Sequence, residues 1–182
     1  MADRSRDWFA EVLRSTPERL DLGALLIAAR ATPGIDPERI VDAGLGELDR
    51  LAAQVPDGGR DDERLRVALG DFTGSDEDYL NLSSSLLPRV LRTRRGLPIL
   101  LSILWTEVAR RAGIDAYGVA LPGHFIACVG NPETFRADAV DGSRVLVDPW
   151  RGGALVSYDR ARDIVERAGF AFRRDKIGRA HV

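Results

Sequence analysis

Between Pro98 and Ala112 the apolar residues Ile99, Leu100, Leu101, Ile103, Leu104, Trp105, Val108 and Ala109 leave almost no polar face over the first two turns. A buried helix reads this way. Pro98 suits the first helical position, where its missing N–H would be unpaired anyway, and Gly113 suits the residue just past the end. If the large aliphatic side chains from Ile99 to Leu104 are all fully buried at roughly 1.5 to 3 kcal/mol each, they contribute about 10 kcal/mol, comparable with the net stability of a whole domain. The rest of the chain is therefore expected to wrap this helix.

Upstream, apolar residues recur at helical spacing. Asp3 to Arg14 carries Trp8, Phe9, Val12 and Leu13, and Asp21 to Ala31 carries Leu22, Leu25, Leu26 and Ala29. Asp36-Pro37 reads as an N-cap followed by a first-turn proline, opening a helix to about Gln54 with Ile40, Val41, Leu45, Leu48 and Leu51 inward. Helices are also predicted from Asp62 to about Asp71 and from Ser84 to Arg95, with Ser75 and Asp78 forming a capping box between them. After Gly113 the period changes to two: Tyr117, Val119 and Leu121, then His124, Ile126 and Cys128 beyond Pro122-Gly123, predict a hairpin. Arg144 to Asp148 reads as a third strand and Asp159 to Ala168 as a closing helix. The fold class is α+β: a helical N-terminal part (3–71) and a core (about 72–168) whose central helix packs on a small antiparallel sheet. Residues 1–175 are expected to form one domain.

Of the 182 residues, 45% are hydrophobic and 30% charged, which is the composition of a soluble globular chain. No apolar run approaches the ~18 residues of a spanning helix, and Met1 to Arg6 is charged with no signal-like stretch behind it, so the cytoplasm is the default location and no membrane role is expected. A single cysteine, Cys128, excludes an internal disulfide, and one cysteine with one usable histidine excludes a zinc site built on those residues. No metal or cofactor is expected. A net charge of -2 gives no nucleic-acid footprint. Lys176 to Val182 resembles the in-frame translation of a sequencing adapter. Without it 24 basic residues face 28 acidic ones, His181 leaves any site argument, and the native chain is expected to run on past Asp175.

His124 and Asp148 fall on neighbouring predicted strands, and a carboxylate beside an imidazole fixes its tautomer. A cysteine hydrolase or acyl transferase needs that pair plus a thiol at the start of a facing helix, where the dipole and an imidazolium lower the thiol pKa from about 8.5 to ~3.5 to 7.5. Pro98 stands at that point. The order of parts resembles the transglutaminase-like superfamily, a papain-related fold. More closely, Val90-Leu91, Arg94, Gly96-Leu97-Pro98-Ile99, Leu101-Ser102, Pro122-Gly123-His124-Phe125 and Asp148-Pro149 resemble the SirB-type transglutaminase-like domain, a bacterial family without an established reaction. The resemblance covers about Leu22 to Ala168. It puts the superfamily's Cys, His and Asp positions on Pro98, His124 and Asp148, with proline at the first of these as a family trait. Ser84-Ser85 and Thr93 depart from the family's Asn-Ser and Arg. A tetratricopeptide-like region is expected to follow the domain.

Two residues compete to replace the missing nucleophile. Cys128 lies four residues along the strand from His124, so their backbones sit about 13 Å apart and direct hydrogen bonding is implausible. A small buried hydrophobe is the expected role. Ser102 lies one turn above Pro98 and is a weak catalytic candidate, because a helical serine commonly bonds its own i-4 carbonyl. Arg89, Arg92, Arg94 and Arg95 read as a solvated cluster near a helix C-terminus or as an anion site, and Trp105 and Trp150 as core and rim packing. The resemblance with the absent thiol implies a non-catalytic binding or regulatory module, with an unknown protein or small-molecule ligand in the former cleft. The alternatives are a hydrolase or acyl transferase using Ser102, and a structural support for the C-terminal repeats.

Overall fold

The computed structural model describes Val12, Arg14, residues 19–130 and residues 144–170. The expected helix over residues 3–14 and the tail after Asp175 lie outside the described residues, although Val12 itself is buried in the core. Three helices open the described chain: α1 (Leu20–Ala31), α2 (Pro37–Ala52) and α3 (Asp61–Leu69). Asp36 caps α2 as its sequence requires, its carboxylate accepting from the Glu38 N–H at 3.1 Å, and Val41, Leu48 and Leu51 face inward.

Two 3-10 turns follow, Asp76–Leu80 and Leu82–Ser85. Ser75 and Asp78 form the capping box of the first. The helix expected from Ser84 begins instead at Leu87, as α4 (Leu87–Thr93). Ser84 is held in the preceding turn, where its hydroxyl donates to Asp78 at 3.0 Å, and Pro88 suits the first turn of a helix that starts afresh. Arg94 ends α4 in the left-handed region at φ 56.

The central helix is α5 (Pro98–Arg111). Leu101, Leu104, Trp105, Val108 and Ala109 are completely buried. The expectation that every aliphatic residue from Ile99 to Leu104 is buried is corrected: Ile99 is 47% exposed and Ile103 only half-buried. A helix lying on one sheet still shows a strip to the outside, and a run that is apolar all round does not reveal which strip that is.

Four strands form an antiparallel meander in the order β1-β2-β3-β4: β1 (Ala116–Leu121), β2 (His124–Val129), β3 (Val145–Asp148) and β4 (Ala154–Val156). Leu121 pairs with His124, so Pro122-Gly123 makes a two-residue hairpin loop, with Gly123 at φ 71 as a type II turn with proline in its first central position demands. Alternation along β2 and β3 splits the sheet into two faces. Ala127, Val129 and Val147 join the large core around α5. Ile126, Cys128 and Leu146 face the other way, into a smaller cluster with Ala161 and Ile164 of the closing helix α6 (Tyr158–Arg167). The result is α+β, with the sheet between the α5 core and α6.

Candidate functional site

His124 opens β2 and Asp148 closes β3, so the antiparallel order of those strands brings the two residues to the same end of the sheet. His124 Nε2 lies 3.0 Å from Asp148 Oδ1. The same oxygen accepts from the N–H of Trp150 at 3.1 Å, and Arg151 Nε stands 3.7 Å from Oδ2. The turn that carries this carboxylate is closed by its own backbone, the Asp148 carbonyl accepting from the N–H groups of Arg151 and Gly153. Asp148 is buried and His124 half-buried, which leaves the imidazole as the accessible member. With Nε2 directed at the carboxylate, Nδ1 is the ring nitrogen turned away from it.

Trp150 sits edge-on to the imidazole, ring centroids 5.9 Å apart, and edge-on to Tyr79 at 6.4 Å. Its position is set by a short clamp. Thr73 exchanges backbone bonds with Arg94 and Gly96, and Gly74 donates to the Trp150 carbonyl at 3.0 Å. A side chain at Gly74 would overlap the Trp150 indole and lie 2.7 Å from the Gly96 carbonyl, so only glycine permits this approach. The indole N–H, covered by Gly74, is buried without a hydrogen-bond partner among the described residues. One segment, Thr73-Gly74, thus ties the chain entering α5 to the turn that carries Asp148 and Trp150.

At the entrance to α5, Leu97 provides no side-chain cap and Pro98 occupies the first turn. Ser102, one turn on, does not bond back to its own helix as its type commonly does. Its hydroxyl is fully buried and donates to the Phe125 carbonyl at 3.3 Å, next to His124 in β2. Cys128 lies fully buried on the face that looks toward α6. Burial pushes its thiol pKa up, against a hydrogen bond with Tyr117, whose own hydroxyl is likewise pushed up by burial and by Cys128. A thiol held protonated is a poor nucleophile.

Two of the four clustered arginines, Arg94 and Arg95, have separate acidic partners. Arg94 pairs with Asp71 and lies over the Phe72 ring, whereas Arg95 reaches Thr73 Oγ1 at 3.2 Å and Asp78 at 3.6 Å. Trp105 is core, whereas Trp150 reaches past the rim to His124. Sequence reading missed the cavity of about 690 Å³ between the sheet and α6, into which His124 and Asp148 open. Arg144, Arg151, Arg160 and Tyr158 line it with them. These residues come from the start of β3, the turn after it and the first turn of α6, a set with no local periodicity to announce it.

A central helix on an antiparallel sheet, with a His–Asp pair 3.0 Å apart at the end of that sheet, gives the arrangement expected of a transglutaminase-like protein. Residues 44–177 match the transglutaminase-like superfamily, and the chain belongs to that family. It is 34% identical to the UPF0162 protein PA3419 of Pseudomonas aeruginosa over 160 residues, which is 82% of this chain and 53% of that protein. A UPF0162 protein of Xylella fastidiosa is 33% identical over 94 residues, 52% of this chain and 30% of that one. Human F-box only protein 21 is 36% identical over 55 residues, 30% of this chain and 9% of that protein. The chain therefore spans about half the length of the Pseudomonas relative. No solved structure matches it.

Proposed function

We propose that this is a SirB-type transglutaminase-like domain that works as a non-catalytic binding or regulatory module, in the cytoplasm, through the cleft beside His124. The observation that carries this reading is the fate of the candidate nucleophiles. Pro98 has neither thiol nor hydroxyl, the hydroxyl of Ser102 is fully buried against the Phe125 carbonyl, and Cys128, the chain's single cysteine, is fully buried with a raised pKa. Ser157 also lines the cavity, but its oxygen caps α6, accepting from the Arg160 N–H at 3.1 Å. An oriented imidazole without a nucleophile forms no acyl-enzyme.

Chemical labelling tests this directly. The purified chain, incubated with a serine-directed fluorophosphonate and separately with iodoacetamide, is expected to show no stoichiometric adduct by intact-mass spectrometry under native conditions. A single adduct mapped to Ser102 or Ser157, and lost in His124→Ala, would favour the hydrolase or transferase alternative and overturn the reading.

A further inference from the structure

We propose that the cavity between the sheet and α6 takes a small organic anion, a carboxylate or phosphate joined to an apolar body. This rests on the reading of the His124 cleft as a binding site and names its ligand class. Charge is the first reason. The whole chain is net negative, yet among the described residues Arg144, Arg151 and Arg160 line the cavity with Asp148 as the one carboxylate. That carboxylate is already engaged by His124, by the Trp150 N–H and by the nearby Arg151. None of the acids of α6, Asp159, Asp163 and Glu166, lines the cavity, and Asp159 pairs with Arg162 at 3.0 Å. A cleft whose sign opposes that of its chain concentrates ions of the opposite charge.

The placement of the cations is the second reason. Arg144 is directed by its 3.0 Å hydrogen bond to the Tyr117 hydroxyl. Arg160 stands in the first turn of α6, whose N-terminal residues Ser157 and Tyr158 also face the cavity, so the positive end of a ten-residue helix adds to the arginines. Guanidinium groups recognise carboxylate and phosphate in a planar, two-pronged fashion.

Size and wall chemistry define the body of the ligand. About 690 Å³ lies within the usual ~300 to 1,000 Å³ of small-molecule sites and exceeds what a lone phosphate needs. Ile126, Leu146 and Ile164 form apolar wall, and Leu155, also in the lining, is 56% exposed, an apolar surface that a bound ring would cover.

Amide and indole NMR shifts of the labelled chain, titrated with phenyl phosphate, benzoate, neutral benzamide, cationic benzamidine and inorganic phosphate, provide the test. Phenyl phosphate and benzoate are expected to shift His124, Trp150 and Arg160 signals saturably, each binding at least about tenfold more tightly than benzamide or benzamidine, a difference of ~1.4 kcal/mol. Arg160→Gln combined with Arg151→Gln should weaken the acids by about tenfold or more and leave the neutral ring unchanged. Benzamide or benzamidine binding as well as the acids would overturn the anion assignment while sparing a ligand cleft. Inorganic phosphate binding as tightly as phenyl phosphate would overturn the apolar body. Absence of any saturable shift in these residues would overturn the whole proposal. Failure of the underlying non-catalytic reading looks different: turnover of phenyl acetate abolished by His124→Ala, which no binding outcome produces.

Discussion

Asp21→Ala is expected to destabilise the protein by about 3 to 5 kcal/mol, the usual cost of stripping one partner from a buried ion pair. Asp21 is fully buried in the first turn of α1, where it accepts from Arg19 at 3.0 Å, from Arg111 at 2.5 Å and from the Leu22 N–H at 2.7 Å. Arg111, in the last turn of α5, also holds Glu107 at 2.9 Å and Asp49 of α2 at 2.7 Å. One guanidinium thereby ties α1, α2 and α5 together. Burial pushes the Asp21 carboxyl up, but the hydrogen bonds from Arg19 and Arg111 outweigh it and hold its pKa below the ordinary value. A depressed folded pKa stabilises above the unfolded value of ~3.9, and that contribution is lost as pH falls through the folded value. Urea denaturation at neutral pH should show the full deficit. Asp21→Asn should be less stable than the parent there, with the gap closing as the medium is acidified below ~3.9. A neutral-pH loss under ~1 kcal/mol for Asp21→Ala would mean that water already screens the network.

Gly153→Ala is expected to cost about 2 to 6 kcal/mol, from two additive causes. Gly153 holds φ 78, so any side chain there carries backbone strain of ~1 to 3 kcal/mol. The added methyl would also overlap the ring of Trp105, which is fully buried and has nowhere to move, for a further ~1 to 3 kcal/mol of overpacking. Gly58→Ala is the control, because φ there is 76 but nothing lies within 4 Å of the new carbon. It should show the conformational part alone. Because the Gly153 N–H helps close the Asp148 turn, the substitution should also perturb the His124 and Trp150 NMR signals. Equal losses for the two variants would remove the steric half of this account.

Local pattern made much of the fold legible. Pro98 and Gly113 bracket α5 because one lacks an N–H and the other tolerates the helix exit, and the alternation around Pro122-Gly123 marks the hairpin because period two has no other compact solution. β4 escaped notice because Ala154–Val156 is three residues long, too short for alternation to declare itself. Local spacing alone places Ser84 in a helix, whereas a bond to Asp78, six residues earlier, keeps it in a 3-10 turn. At the site, His124 and Asp148 could be paired from strand order. The bond from Ser102 to Phe125 and the gathering of Arg144, Arg151 and Arg160 depend on contacts between elements, which no single segment encodes.

We propose that the opening of α5 comes within reach of His124 at the end of the sheet, with proline where the superfamily has its thiol; what supports this is the Ser102 hydroxyl, one turn into the helix, donating to the Phe125 carbonyl beside His124. The thiol pKa of Pro98→Cys, from iodoacetamide alkylation rates against pH, tests it most directly. Proline in a first helical turn is replaceable, so the variant should fold, and the buried Cys128 of the parent chain provides the background rate. Leu97 provides no side-chain cap, so the α5 dipole is available to a thiolate there, and on this proposal the nitrogen of His124 that faces away from Asp148 would act as its base. The account predicts a pKa below the ordinary ~8.5 that rises in the Pro98→Cys, His124→Ala double variant. An ordinary pKa, indifferent to His124→Ala in a folded protein, would contradict it.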